Sequence, residues 1–365
     1  MKIVPYTDAH IEQVIAFNRR LKSHGVFFQF PEHPTPKWLP KIDGRTIYQE
    51  YFVAVEENNT IRGGYILKHQ DFFIDGQKIS IGNYQLPLSE GTINNNYNRL
   101  GLQMLLDALR RQPLLYALGM GGLSRPLPQL LKAVGWRLHP VPFYFKVIKT
   151  NNFLKNITYL RNRSGRKLLC DFAALTGIGA LLIKSYQVIK GCTAFSNPAK
   201  YSIESDFGEW SQDLWENSGH FYSCTASRDK ETLNIIYPKD DQRFLQVKAD
   251  SAGWAIILDT KMQNHKQFGN MRVGSIVDCF ANPDNAIDVI SAAIKLLKER
   301  GVDIIISNQI HHQWCDALSS NGFIEGPSNF ALATSPVLTD MIFKIDLNFE
   351  RLHFNRGDGD GPINL

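Results

Sequence analysis

The sequence predicts an α/β (α+β) protein of two tandem domains, each a mixed central sheet flanked by helices, joined by a helical linker. Two observations carry this prediction. One order of strand and helix patterns runs through the chain twice, and both passes close their second helix on glycine and an aromatic residue, Gly135-Trp136 and Gly322-Phe323. Alternating apolar residues indicate strands, and apolar residues three and four positions apart indicate helices.

Length and composition fit two domains. At 365 residues and 44% hydrophobic, the chain can fill two cores of about 100 to 200 residues each. We expect the first domain over residues 1–150, a basic helical linker over 151–200, the second domain over 201–350, and a tail rich in glycine and aspartate over 351–365.

The first pass begins with an amphipathic helix, HIEQVIAFNRRLKSHG, and a strand pair, YFVAVEE and GGYILKHQ, that turns at Asn58-Asn59. A longer strand follows, KISIGNYQLPLSEG. The pass then continues with a helix from Gly101 to Arg111, the strand LLYALGM, the helix LPQLLKAVGW and a last strand, PFYFKVIK.

The second pass repeats this order. Its strands are FLQVKAD, WAIILDT and MRVGSIVDCF, and the helix AIDVISAAIKLLKERG comes next. The strand VDIIISN, the helix HQWCDALSSNGF and a final strand from Met341 to Leu347 complete it.

Charge and cysteine content limit the partners. A net charge of +5 favours anionic partners but is too mild for a nucleic-acid-binding protein, so we expect no nucleic acid. The five cysteines form no CxxC pair, which predicts reduced cytosolic thiols. The N-terminus turns polar at once, so we expect no signal peptide and a cytoplasmic location. His311, His312 and Cys315 bunch at a helix start, but they offer too few ligands, and we expect no metal.

One turn has the character of a phosphate site. The run YNRLGLQ enters a helix directly after a strand, and free amide groups at a helix start bind phosphates. The turn resembles the coenzyme A loop of the GCN5-related N-acetyltransferase superfamily: Asn98 takes the first position, Gly101 is the central glycine, and Gln103 replaces the terminal small residue. The alternative is an ordinary helix start.

The order of elements is also that of the superfamily. The resemblance implies acetyl-CoA or another acyl-CoA as co-substrate, and it implies a coenzyme site. The residues of that site are Leu88, Asn98, Arg99, Leu100, Gly101, Leu102, Gln103, Gly119 and Gly121. More narrowly, the runs NYQLPLSEG, YALGMGG and RGDGDGP resemble the acetyltransferase-like proteins of bacterial exopolysaccharide synthesis.

The equivalent turn of the second pass has no glycine. Asn282 suits an N-cap, Pro283 suits the first helical position, and Asp284 brings negative charge to the positive helix end. We therefore expect no coenzyme in the second half, which instead walls in the acceptor.

The resemblance also implies catalytic residues. Glu90 stands at the end of the strand before the phosphate turn, where it would act as the base, and Ser89 would position the acceptor; the alternative is a solvated strand end. The superfamily's tyrosine acid is replaced by Leu131. Tyr116 and Tyr144, predicted on neighbouring strands of the first sheet, are its substitutes, unless they are core tyrosines.

Acceptor residues are predicted at two places. Asn18 and Arg19 close the first helix, where the superfamily lines its acceptor pocket; a solvated helix end is the alternative. Arg228 and Asp229 resemble a surface turn pair, in a loop that borders the acceptor cleft in tandem members. The tail is predicted to be a floppy terminus or, alternatively, a loop that folds back onto the acceptor.

The linker is strongly basic. Residues 153–190 carry seven cationic side chains against one acid, Asp171, around a 16-residue apolar run that is too short to span a bilayer. The favoured interpretation is a helical hairpin packed between the domains with its basic face in solvent. The alternative is a segment that lies on anionic lipid at the inner face of the membrane.

Together these patterns predict an acyltransferase that moves an acetyl or other acyl group from acyl-CoA to an amine or hydroxyl, on a small-molecule or glycan acceptor such as a polysaccharide precursor. One alternative is an inactive tandem module that binds a glycan or a partner protein. A further alternative is an aminoacyltransferase like those of the Fem family.

Overall fold

A computed structural model describes residues 1–161, 164–191, 200–250 and 252–359. The chain forms two compact units. The first unit comprises Met1–Pro140 and Ala331–Leu347, and the second comprises Val141–Phe330 and Asn348–Leu365.

The first unit opens with a short strand and an amphipathic helix, and it continues with three long strands. Its elements up to residue 140 are β1 (Lys2–Pro5), α1 (Ile11–Ser23), β2 (Tyr48–Val55), β3 (Ile61–Ile74), β4 (Gln77–Ser89), α2 (Leu100–Arg111), β5 (Leu115–Leu118), α3 (Pro126–Ala133) and β6 (Arg137–Pro140). The predicted turn between β2 and β3 is confirmed, with Asn59 in the left-handed region at φ 65°.

The chain then builds most of the second unit. Its elements are β7 (Phe143–Val147), α4 (Thr150–Asn156), α5 (Ser164–Thr176), α6 (Ile178–Gly191), β8 (Ser202–Glu204), α7 (Glu209–Ser218), β9 (Cys224–Ala226), α8 (Lys230–Ile236), β10 (Leu245–Ala249), β11 (Gly253–Lys261), β12 (Arg272–Ala281), α9 (Ala286–Glu299), β13 (Ile304–Asn308), α10 (His312–Ser320) and β14 (Ile324–Gly326). Three elements follow: β15 (Ala331–Thr334) and α11 (Pro336–Phe343), which belong to the first unit, and β16 (Leu352–His353) of the second.

The sheet of the first unit has the order β1-β2-β3-β4-β5-β15-β6. All its neighbours are antiparallel except β4 and β5, which are parallel. On one face, α2 buries Leu100, Met104 and Leu105 against the sheet. On the other face, α1 buries Val14 and Phe17. These residues are three positions apart, as expected on one face of an amphipathic helix.

The sheet of the second unit has the order β14-β7-β13-β12-β11-β10-β8, and its parallel pair is β12 with β13. The two sheets therefore share one pattern. In each sheet, the strand next to the last is supplied by the other half of the sequence: β15 lies between β5 and β6, and β7 lies between β13 and β14. β16 pairs with β9 in parallel.

This exchange corrects two predictions. The run PFYFKVIK is a strand, but its assignment to the first sheet is wrong, because β7 pairs with β13 and β14. The predicted strand from Met341 to Leu347 is also wrong. Pro336 at the helix start and the buried pair Leu338 and Ile342, four positions apart, favour the helix α11 instead.

The Gly-aromatic pairs are confirmed as helix ends. After α3, Gly135 adopts φ 87°, and the amides of Gly135 and Trp136 donate to the carbonyls of Lys132 and Leu131. Only glycine enters this left-handed conformation without a steric cost, so the helix stops there.

The prediction of a floppy terminus is wrong for the described part of the tail. Asn355 and Asp358 form a reciprocal cap around a short turn, and both are buried in the second unit. Asp360 lies outside the described residues, as does Cys192. The thiols of Cys224, Cys279 and Cys315 are free.

The linker forms the predicted helical hairpin, α5 and α6, joined at Gly177. The expectation that its apolar run is packed away is wrong. Seven large apolar side chains on it are exposed: Leu168, Leu169, Phe172, Leu175, Ile178, Leu181 and Leu182. Among the described residues, no helix is long and apolar enough to cross a membrane.

Candidate functional site

The parallel strands β4 and β5 of the first unit separate along their length. In the described chain they pair only at Gly82 with Leu115 and at Asn83 with Tyr116. β4 continues to Ser89, whereas β5 pairs onward with β15. A wedge-shaped gap therefore opens between the two strands. It is lined by backbone groups that do not pair with the opposite strand.

A bulge lies in β4 at this wedge. β3 pairs Ile66 with Gln85 and Gly64 with Leu88, so β4 carries one extra residue between the two pairs. Within the bulge Leu86 has φ 45°, a left-handed conformation that costs a residue with a side chain about 1–3 kcal/mol. Pro87 follows it and has no N–H to donate. Bulges of this kind turn backbone groups away from the ladder, often beside functional sites.

The helix α2 begins next to the wedge after a short turn that the side chain of Asn94 caps, and its own N-cap has no side-chain cap. Its N-cap is Arg99, whose side chain makes no capping hydrogen bond, and the amide of Gln103 is bonded to the carbonyl of Arg99 at 3.0 Å. Asn98, Arg99 and Gln103 are exposed, whereas Leu100 is buried and Gly101 and Leu102 are half-buried. The helix start thus presents a cation and two amide side chains to solvent.

No neighbouring atom of the described residues requires a glycine at position 101. A Cβ built there would meet only Leu130 Cδ2, at the ordinary contact distance of 3.6 Å. The backbone at this helix start is therefore open to close approach by a ligand. The position fits the diphosphate of a coenzyme, which the sequence predicts here.

The glycine run after β5 forms a tight turn. Gly119 and Gly121 both have positive φ, at 85° and 76°. The amide of Gly119 donates to the carbonyl of Ala331 in β15 at 3.0 Å, which fixes the strand end. A Cβ at Gly121 would meet only Arg125, at 3.9 Å. The turn therefore lies at the end of the wedge without side-chain bulk.

Glu90 is buried in a network of ion pairs. Its two carboxylate oxygens accept from Arg20 at 3.1 and 3.2 Å and from Arg62 at 3.1 and 3.2 Å. Arg62 also donates to Glu56 at 2.9 Å and lies over the ring of Tyr97. Because a carboxylate has about four acceptor positions, these contacts occupy the lone pairs that a general base would use.

Other predicted residues of the first unit have structural partners. The hydroxyl of Ser89 accepts from the amide of Gly91 at 3.0 Å and caps a short turn. Asn18 is buried and bonds both backbone groups of Phe30 at 2.8 Å. Tyr116 is fully buried against Phe72. Arg19 is exposed at the end of α1, as its alternative interpretation predicted.

Tyr144 does not lie on the first sheet, so its predicted position beside Tyr116 is wrong. It lies on β7 of the second unit, where it is buried. Burial raises the pKa of Tyr144 above its ordinary value, and the neighbouring Cys315 raises it further. The strand exchange separates the two tyrosines, which alternation in the sequence could not show.

Arg228 and Asp229 are not a surface pair. Arg228 is only 1% exposed, and it donates to Asp278 and Asp358 at 3.0 Å and to Thr225 at 3.0 Å. Asp229 caps α8 by accepting from the amide of Thr232 at 2.8 Å. Both side chains therefore have partners within the second unit.

The short turn that leads into α9 is capped by Asn282, whereas Asn285, the N-cap of α9 itself, makes no side-chain capping bond. The side chain of Asn282 accepts from the amide of Asp284 at 3.1 Å, and Pro283 opens the short turn that leads into the helix. Asp284 in turn accepts from Gln313 at 2.8 Å. Among the described residues, no group of three or more His, Cys, Asp or Glu could hold a metal.

The second unit has a cavity of about 570 Å³ beside this helix start. The residues lining it are Trp210, Asp213, Leu214, Asn217, Ser218, Lys248, Asp250, Gly253, Asn282 and Asn285. The ammonium of Lys248 lies 4.8 Å from the centre of the Trp210 ring. The carboxylates of Asp213 and Asp250 and the hydroxyl of Ser218 make no hydrogen bond to the rest of the described chain.

Sequence reasoning missed four residues of these sites: Arg62, Leu86, Trp210 and Lys248. One signal was available for Leu86, because Pro87 stands inside a predicted strand, and proline in a strand marks an edge or a bulge. Arg62 and Lys248 looked like ordinary charged strand residues. Their partners are distant in sequence, so no local pattern indicated them.

Comparisons with solved structures give the fold. The chain is similar to a conserved Enterococcus faecalis protein described as a probable N-acyltransferase, with a TM-score of 0.51 and 10% identity over 93% of this chain and 73% of that one. It is similar to a GCN5-related N-acetyltransferase from Anabaena variabilis, with a TM-score of 0.51 and 8% identity over 91% and 72%. No protein-family model and no curated protein matches the chain.

A third similar structure is Saccharomyces cerevisiae N-myristoyltransferase with bound myristoyl-CoA, with a TM-score of 0.50 and 12% identity over 91% of this chain and 78% of that one. The order of strands, with one parallel pair in the middle of each sheet, agrees with these similarities. The chain therefore has the mixed α/β fold of the acyl-CoA N-acyltransferases.

Proposed function

We propose that the protein transfers an acyl group from acyl-CoA to an amine or hydroxyl acceptor, at the wedge of the first unit. The observation that carries this proposal is the separation of β4 and β5 beside the start of α2, with the strained Leu86 in the bulge of β4. The fold hosts this chemistry in the protein whose structure holds myristoyl-CoA.

The residues that would hold the coenzyme are those of the helix start and the wedge. The amides from Leu100 to Leu102 meet the diphosphate at the positive end of α2, and Arg99 adds a cation. The backbone of Leu88 and the bare turn at Gly119 and Gly121 line the path of the pantetheine arm. Bound acyl-CoA supplies an activated thioester.

The remaining steps of the transfer depend on groups of the protein itself. Backbone groups released by the bulge at Leu86 are available to polarise a carbonyl in the wedge. Leu131 is buried in the core at the position of the superfamily's acid. The thiol of coenzyme A, with an ordinary pKa near about 8.5, can leave as thiolate without a donated proton. Glu90 holds Arg20 and Arg62 in place, and Ser89 is free to donate toward an acceptor while it caps its turn.

A transfer assay tests the proposal. Release of free coenzyme A thiol is followed with acetyl-CoA and a panel of acceptors, including glucosamine as the amino sugar that an exopolysaccharide precursor would offer. If no acceptor accelerates thiol release above the rate without protein, the enzyme proposal fails.

A second candidate function, glycan binding, is favoured by the cavity of the second unit. Its walls combine an indole ring with carboxylates, amides, a hydroxyl and an ammonium, which is the mixture of donors, acceptors and apolar face that a neutral sugar requires. A polyanion would meet Asp213 and Asp250. Titration of tryptophan fluorescence with N-acetylglucosamine oligomers tests it: wild type and Arg243→Ala should bind alike, whereas Asp213→Ala should bind more weakly. Equal binding by all three would reject this site.

A further inference from the structure

The hairpin of α5 and α6 has an exposed apolar face. We call this the outer face and define it by seven side chains whose exposure runs from 50% at Ile178 to 79% at Leu175. They are Leu168, Leu169, Phe172, Leu175, Ile178, Leu181 and Leu182. Isolated exposed apolar side chains are normal in soluble proteins, but a contiguous set on two adjoining helices marks an interaction surface.

The opposite face of the hairpin is packed firmly. Ala174 is buried in the core cluster that contains Phe153 and Leu154 of α4. α6 approaches so closely that a Cβ at Gly179 would lie 2.5 Å from Leu154 Cδ1. The hairpin is therefore apolar on both faces, and its inner face fixes the outer face in place. Helices that are apolar all round are normally covered on every side.

Charge indicates what covers the outer face. Residues 153–190 carry seven cationic side chains and one carboxylate. That carboxylate, Asp171, is paired with Arg161 at 2.6 Å, and seven cations minus one carboxylate give the segment a net charge of +6 by sequence. A second copy of the chain, related by a two-fold axis, would bring this charge against itself. An anionic lipid surface complements both the charge and the apolar side chains.

We propose that the outer face of the α5–α6 hairpin lies in the headgroup region of an anionic membrane. Neither helix is long and apolar enough to cross the bilayer, so the hairpin lies on the surface as amphipathic anchors do. This binding is independent of acyl transfer: either property can fail while the other remains.

Vesicle sedimentation tests the proposal with the full chain. The protein should pellet with vesicles of phosphatidylcholine and phosphatidylglycerol and stay in solution with phosphatidylcholine alone. Added salt should release it, because screening weakens the attraction. The double variant Phe172→Glu/Leu182→Glu should fall to the level without vesicles. Both positions are exposed, so thermal unfolding should show that the variant still folds.

Leu347→Glu is the matched control, because Leu347 is 64% exposed and lies outside the hairpin. It should bind vesicles like wild type. Equal binding by the double variant and wild type would overturn the proposal. Sedimentation velocity without lipid is a second test. If wild type is a dimer and the double variant is a monomer, the outer face binds a second copy of the chain instead of a membrane.

Discussion

The guanidinium group of Arg228 donates to both carboxylate oxygens of Asp358 at 3.0 Å, across 130 residues of sequence. The same guanidinium also donates to Asp278, which accepts from Tyr237 at 2.8 Å and from Asn355 at 2.7 Å. The end of the chain is thus part of the buried polar core of the second unit, although its composition is that of a flexible tail.

We expect Asp358→Ala to lower the free energy of unfolding by about 3–5 kcal/mol, because it removes one partner of a buried charge. Urea denaturation measures the change. Asp340→Ala is the control, since Asp340 is exposed and should lose almost nothing. If both variants unfold at the same urea concentration, the buried pair does not stabilise the second unit.

The ion-pair network at Glu90 gives the next prediction. Glu90→Ala leaves Arg20 and Arg62 facing each other without the carboxylate, and we expect a loss of about 3 kcal/mol in the free energy of unfolding. Thermal and urea unfolding measure it, with the exposed Glu57→Ala as the control. A Glu90→Ala variant as stable as this control would show that the ion-pair network does not contribute to the free energy of unfolding.

Stability should depend on pH through Lys146. Burial, together with the neighbouring positive charge of Lys298, lowers the pKa of Lys146 from 10.5 to about 8. The unfolded chain then binds more protons than the folded chain between these two values, so the free energy of unfolding rises with pH across that window. Lys146→Met should lack this rise, so the difference in free energy of unfolding between wild type and variant should grow with pH across that window. An unchanged pH profile would contradict the shift.

Much of the fold was predictable, because the local spacing of apolar residues indicates its helices and most of its strands. The α2 and α9 helices, the β2–β3 turn and the glycine ends of α3 and α10 all follow from residues close in sequence. The exchange of β7 and β15 was not predictable. Alternation identifies a strand but says nothing about its partner, and β15 has only four residues, all buried.

The candidate site was predictable in part for the same reason. The Asn282 cap of the turn before α9 is a local feature and was predicted. The equivalent Asn94 cap of the turn before α2 was not predicted. The partners of Glu90 and Arg228 lie on elements that are distant in sequence. Each of these two residues was predicted to be exposed and is buried instead. The wedge depends on where two strands stop pairing, which only the three-dimensional structure gives.

Coenzyme-dependent thermal stabilisation tests the central claim, that acyl-CoA binds at the start of α2. Acetyl-CoA should raise the melting temperature of wild type by mass action. Gly101→Glu should lose the whole shift, because its side chain fills the open position and repels phosphate. Leu106→Glu, which adds the same charge at an exposed site on the same helix, should keep it. A shift that survives in Gly101→Glu, or none in wild type at millimolar acetyl-CoA, would contradict the account.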